Sequence, residues 1–202
     1  EKVTSVRSSR EEEMMGLKAK MRQEYSRLTP QVDYIAALRN ALPRDGIFVD
    51  EVTQVGFVSW FTFPVYEPRH FISAGYQGTL GYGYATALGV KVGNPDKKVL
   101  QISGDGGIMF NIQEVVTAVQ NQIQLVTVIF KDNRFGNVNR DQNLRPGKHV
   151  LGTEFRNPDF VKLADSFGAA GERVSSPAEL GPAIQRGFDR AGPTLIEVPV
   201  DA

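Results

Sequence analysis

The 202-residue chain has no cysteine, two histidines and one tryptophan. Without cysteine there is no disulfide scaffold, no thiolate zinc site and no thiol nucleophile. Charge of one sign is also missing, since 23 Lys and Arg balance 23 Asp and Glu. That balance removes the electrostatic reason to expect nucleic acid or an anionic membrane as partner. No apolar run approaches the roughly 18 residues that a membrane-spanning helix needs. The opening stretch, EKVTSVRSSREEEMM, has no apolar h-region and no initiator Met, so it reads as a processed chain or a fragment, without a secretory signal. What remains is a soluble, cytoplasmic globular protein, large enough to bury a core without covalent staples.

Residues 1–28 carry 12 charged side chains, with Met14, Met15, Leu17 and Met21 as a narrow apolar stripe. This segment reads as an exposed helix or linker arriving from a preceding domain, with a disordered linker as the alternative. Residues 29–202 read as one domain. Thr29 is placed to cap a helix and Pro30 to open it, over QVDYIAALRNAL. From there short apolar strands alternate with helices. Strands are expected at Ile47–Asp50, Phe71–Ser73, Val99–Ser103, Leu125–Lys131, Ala170–Val174 and Thr194–Val200. Helices are expected at 53–61, 81–92, 112–122, from Asn157-Pro158 through FVKLADSF, and 177–191. The segment from Asp132 to Arg156 reads as a polar loop. Apolar strands separated by helices of this length predict a three-layer α/β domain, with a mostly parallel sheet of about six strands covered on both faces.

Such sheets bind ligands beyond the carboxyl ends of their strands. That directs attention to Asp50–Gln54, Gly75–Gly83, Gly104–Gly107 and Asp132–Asn137. Gly104-Asp105-Gly106-Gly107 follows a strand and precedes a helix, where glycines allow close backbone approach and N–H groups face a phosphate. Asp105 among those donors would repel phosphate unless a cation lies between, and Mg²⁺ bridges carboxylates and phosphates in this way. The next strand ends at Asp132-Asn133, beside the first, so the Asn133 amide oxygen can join the same ion. Taken alone, Gly-Asp-Gly is a common turn.

The combination is more specific. The segment GDGGIMFNIQEVVTAVQNQIQLVTVIFKDN resembles the thiamine diphosphate motif, in which GDG is followed some 26–30 residues later by Asn. The upstream GYQGTLGYGYATALGVKVGNPDKKVLQIS resembles the same region of acetolactate synthase, pyruvate decarboxylase and benzoylformate decarboxylase-like enzymes. The likeness covers roughly residues 30–202, the diphosphate-binding (PP) domain of that family. It implies that Asp105, the Asn133 side chain and the Phe135 carbonyl hold Mg²⁺. It also implies that Gly104, Gly106 and Gly107 present the diphosphate turn. Val52, Thr53 and Gln54 match the family's second diphosphate-gripping loop, and Gly136 and Asn137 would close over the phosphates. Leu80 would wedge between the two rings of the cofactor, and the Gly78 carbonyl would accept from the aminopyrimidine. For Leu80 an ordinary core leucine is the competing reading.

The resemblance further implies a 2-oxo acid substrate, decarboxylation or carbon–carbon bond formation or cleavage, and a dimer or tetramer. The pyrimidine-activating Glu of the family lies on a PYR domain of the same or another chain, and no segment here resembles one. No catalytic side chain is therefore assigned, and the chain by itself is expected to be inactive. One subunit of a split decarboxylase, or a non-catalytic cofactor-binding module, are the alternatives. Asn139 stands where pyruvate decarboxylase-like relatives carry a catalytic Glu, and the Trp-bearing stretch of true acetolactate synthases is absent from Gln142–Pro146. The substrate is thus left open. The glycines at 75, 78, 81 and 83 do not follow a strand in GxGxxG order, so a nicotinamide site has weak support.

Overall fold

The computed structural model describes residues 2–200. A long helix α1 (Lys2–Tyr25) leads into α2 (Gln31–Ala41), β1 (Ile47–Val49), α3 (Gln54–Thr62) and β2 (Phe71–Ile72). A 3₁₀ turn at Gly75–Gln77 precedes α4 (Tyr82–Gly93), β3 (Val99–Gly104), the short α5 (Asp105–Ile108) and α6 (Glu114–Gln120). The chain then runs through β4 (Val126–Lys131), α7 (Gly136–Leu144), α8 (Phe160–Phe167), β5 (Ala170–Arg173), α9 (Pro177–Asp189) and β6 (Thr194–Pro199).

The six strands form one sheet in the order β2-β1-β3-β4-β6-β5, and every pairing is parallel. Period-two alternation sends side chains to opposite faces. Phe48, Leu100, Ile102, Val126, Val128, Phe130 and Ile196 pack with Leu38 of α2, Val55 of α3 and Leu180 of α9. Ile47, Val49, Val99, Ile129 and Leu195 pack on the other face with Tyr84 of α4, Val115 of α6 and Phe160 of α8. The expected three-layer architecture is the one observed.

The order of strands creates the site. The chain leaves β1 for α3 on one face and leaves β3, the neighbouring strand, for α5 and α6 on the other. Loops that part in opposite directions from adjacent parallel strands open a crevice at their carboxyl ends.

Four local expectations are corrected. The polar segment after Asp132 is not all loop, because Gly136–Leu144 is helical. Its apolar content is low, but buried Asn139 anchors it by donating to Thr153 Oγ1 at 2.9 Å. Thr29 does not cap α2. Its hydroxyl donates back to the Ser26 carbonyl at 3.0 Å, and Pro30 occupies the cap position. The helix expected over 112–122 is shortened to Glu114–Gln120, after a turn whose amides bond three residues back. Asp159, not Asn157, caps α8, accepting from Val161 N at 3.0 Å and Lys162 N at 3.1 Å. The charged leader is helical through Tyr25, and exposed over residues 10–20.

Candidate functional site

A cavity of about 1070 Å³ opens at the carboxyl ends of β1, β3 and β4. Its wall includes Val52, Thr53 and Gln54 from the β1–α3 loop, Gly78 and Leu80 from the β2–α4 loop, and Gly104–Gly107 from the end of β3. Asp132, Arg134, Phe135, Gly136 and Asn137 complete the side beyond β4. Four chain segments separate in sequence thus converge as the strand ends dictate. Of the thirteen residues singled out from the sequence, Asn133 is the one missing from this wall.

Asp105 is only 2% exposed. Its Oδ1 accepts from Gly106 N at 2.8 Å, and its Oδ2 accepts from Asn133 N at 2.6 Å and from Asn157 Nδ2 at 2.7 Å. Burial pushes its carboxyl up to about 6, assisted by the nearby Asp132 charge and opposed by the amide donors. No Lys or Arg lies within ion-pair distance of it among the described residues. A buried carboxylate with a second acidic side chain close by and no cationic partner suits a metal ion, which would relieve the repulsion.

Asn133 meets this centre differently from the expectation. It has a positive φ of 59°, a conformation that Asn tolerates better than most residues. The turn brings its backbone N–H to Asp105 and its Oδ1 to Asn157 Nδ2, 3.2 Å away. The Asp105 and Asn133 side chains therefore meet on one amide nitrogen, near enough to share an ion. Asp132, one residue earlier, is on the cavity wall. Its Oδ1 also accepts from Arg134 N at 3.2 Å, which caps the turn. The Phe135 carbonyl accepts from Asn139 N at 2.8 Å. That bond belongs to the first turn of α7 and leaves the carbonyl's second lone pair for another partner.

Asn157 is a site residue that sequence reading assigned to a helix start. Only its place after a long excursion, folded back by the Arg134–Glu154 bridge, brings it here, and no local motif signals that return. Asn139 points to Thr153 and away from the cavity wall. His70 and His149 are also absent from that wall. Trp60 donates its indole N–H to Asp50 Oδ2, while Phe61 remains 65% exposed beside Tyr25.

Leu80 is half-buried and faces the cavity. Gly78 (φ 55°) and Gly81 (φ 80°) turn the chain on either side of it. At Gly81 an added Cβ would stand 2.6 Å from Phe110 Cβ, so both backbone and space demand glycine. Gly78 has room, with Val52 Cγ2 at 3.7 Å as its nearest neighbour.

A parallel sheet with an acidic, glycine-lined crevice at its switch point defines an α/β domain with a ligand site at the carboxyl ends of its strands. Comparison with known proteins narrows this. The family described as "Thiamine pyrophosphate enzyme, C-terminal TPP binding domain" matches residues 51–198, and the chain belongs to that family. A probable acetolactate synthase large subunit of Methanococcus aeolicus is 40% identical over 140 residues, which is 69% of this chain and 23% of that protein. A probable 2-ketoarginine decarboxylase of Pseudomonas aeruginosa is 33% identical over 168 residues, 83% of this chain and 29% of that protein. In fold, the chain is similar to the thiamine diphosphate-dependent 4-hydroxybenzoylformate decarboxylase of Rhodococcus jostii RHA1. The TM-score is 0.78 at 26% identity, over 85% of this chain and 32% of that one. The chain spans about a quarter of the length of the curated relatives it matches.

Proposed function

We propose that this domain holds thiamine diphosphate through Mg²⁺, as the C-terminal part of a cytoplasmic acetolactate synthase-like enzyme that acts on a 2-oxo acid. The observation that carries the proposal is the pairing of buried Asp105 with Asp132 on a cavity wall that also contains Gly104, Gly106 and Gly107. Asp105 and Asp132 are the side chains that would hold the cation, with Asn133 in reserve one residue further on. Backbone N–H groups of the Gly104–Gly107 turn and of the Val52–Gln54 loop would meet the diphosphate oxygens. The first turn of α7, at Gly136 and Asn137, would add donors with a favourable helix dipole.

Bound thiamine diphosphate supplies a carbanion that adds to a carbonyl and then serves as an electron sink. The contribution of this chain is to bind, orient and exclude water. Leu80 would supply an apolar shelf on the cavity wall, and the Gly78 carbonyl would accept from the aminopyrimidine. Arg134 and Arg140 also line the cavity and bring positive charge to an anionic cofactor or substrate. No described side chain stands as an obvious proton-transfer group for the pyrimidine. That duty would fall to a PYR domain of the same or another polypeptide, so activity requires that domain, and the family likeness implies a dimer or tetramer.

Calorimetric titration with thiamine diphosphate tests the reading. Binding is expected with Mg²⁺ present and is expected to vanish when the metal is chelated. Binding that ignores the metal overturns the cation bridge. A chain that binds neither ligand but retains its fold favours a domain whose site is purely structural.

A further inference from the structure

We propose that Glu51 is the positioning residue that ties the two ends of the cavity together. The proposal rests on the thiamine diphosphate reading for what the two ends hold, but the tie itself is visible in the geometry. Glu51 follows β1 and is 2% exposed. Its Oε1 accepts from Gly81 N at 2.5 Å, and its Oε2 accepts from Gly83 N at 3.2 Å and from Ser103 Oγ at 2.8 Å. Gly81 and Gly83 belong to the cap and first turn of α4, just after Leu80. Ser103 lies on β3, one residue before the Gly104–Gly107 turn. A single carboxylate therefore spans the ring-facing loop and the phosphate-facing strand.

Three physical points set this apart from an incidental buried acid. Helix N–H groups at a first turn lack intrahelical partners, and an anion there is stabilised by the helix dipole. No Lys or Arg pairs with Glu51 among the described residues, so these three donors are what keep a carboxylate in an interior that resists its charge. Space is also cleared for it. A Cβ at Gly83 would stand 2.7 Å from Glu51 Oε2, and a Cβ at Gly107 would collide with Oε1. Neither glycine has a positive φ. The room they leave, rather than backbone freedom, is what they supply.

Glu51 hydrogen-bonds the ring-facing loop through two backbone amides, whereas on the phosphate-facing side its one hydrogen bond is to the Ser103 hydroxyl and Gly107 meets it by packing alone. That hydroxyl presents no N–H to a phosphate. Loosening Glu51 should therefore disturb Gly78 and Leu80 more than the turn that grips the diphosphate.

The test is Glu51→Gln, which keeps the shape but turns an NH₂ toward the α4 amides, with Glu51→Ala as a second variant. Amide hydrogen exchange in the ligand-free 202-residue chain should rise at least about tenfold at Gly81 or Gly83, with core strand β4 unchanged. With Mg²⁺ present, the Kd for thiamine diphosphate should rise about tenfold, while that for inorganic pyrophosphate stays within about twofold. Unchanged exchange at both glycines overturns the tie, as does equal loss of both ligands or of neither. A wild-type chain that binds neither ligand with Mg²⁺ overturns the cofactor reading and the ring-against-tail split with it, while the exchange measurement still judges the tie.

Discussion

The two ends of the cavity are built by different means. At the phosphate-facing end, Gly104–Gly107 continues a six-residue strand in the middle of the sheet, and Asp105 is held by three N–H donors. At the ring-facing end, β2 is a two-residue edge strand, followed by a turn with positive φ at Gly75, Gly78 and Gly81. One end takes its shape from the sheet. The other is bent by glycines and steadied from behind by Glu51. A charged ligand end needs fixed donors and a cation, which strand ends supply directly. An apolar shelf such as Leu80 needs only correct placement, which a supported loop provides.

The largest expected effect breaks the phosphate-facing end. Asp105→Ala should weaken Mg²⁺-dependent thiamine diphosphate binding at least about 100-fold, close to 3 kcal/mol. Leu80→Ala should leave that affinity within about tenfold. Titration of both variants gives the ratio. Comparable losses would mean that the two ends do not divide the work as proposed.

The pH dependence of the ligand-free chain comes next. The Asp105 carboxyl titrates at about 6 in the fold against 3.8 ordinarily. Between those values the folded chain holds more protons than the unfolded one, so this group makes stability fall as pH rises from about 4 to 6. The loss is at most about 3 kcal/mol. Cation affinity should climb over the same window, as the proton leaves. Thermal unfolding at pH 4.5 and 7 should show a smaller pH difference for Asp105→Ala than for wild type. Equal differences would remove Asp105 as the source.

A glycine pair sharpens the same comparison. Gly107→Ala drives a methyl into Glu51 and should cost about 2–3 kcal/mol, as overpacking in a rigid interior does. Gly78→Ala has space, and only its φ of 55° opposes it, so about 1 kcal/mol is expected. Denaturant melts of both variants measure the difference.

How much of this was legible in the sequence follows the same division. The strands carrying Phe48, Leu100, Val128 and Ile196 are apolar on both faces and announce a buried parallel sheet. Gly-Asp-Gly after VLQIS announces the phosphate-facing turn. The helix at Gly136–Leu144 was hidden because its residues, GNVNRDQNL, show almost no apolar face and owe their order to Asn139 and Thr153. Asn157 was hidden because it reaches Asp105 across 52 residues of chain. Glu51 was passed over because nothing next to it in sequence reveals that three donors converge there. The place of Asp132 on the cavity wall, beside the expected ligand Asn133, was not legible either, because it depends on the turn between them.

That last point yields the smallest effect and the finest test. Asp132 lines the cavity, whereas Asn133 accepts from Asn157 through its amide oxygen and donates its backbone N–H to Asp105. Asp132→Asn retains an oxygen ligand but loses a charge, so Mg²⁺-dependent affinity should fall about tenfold, near 1.4 kcal/mol. Asn133→Ala retains the backbone N–H that Asp105 needs, and should change affinity by less than about threefold. Its positive φ adds a modest stability loss, visible in the melting temperature rather than in the titration. If the order of the two affinities reverses, the Asn133 side chain must swing from Asn157 to the cation on binding. The second ligand then belongs to residue 133, and the ligand-free turn is a resting arrangement that the ion rebuilds.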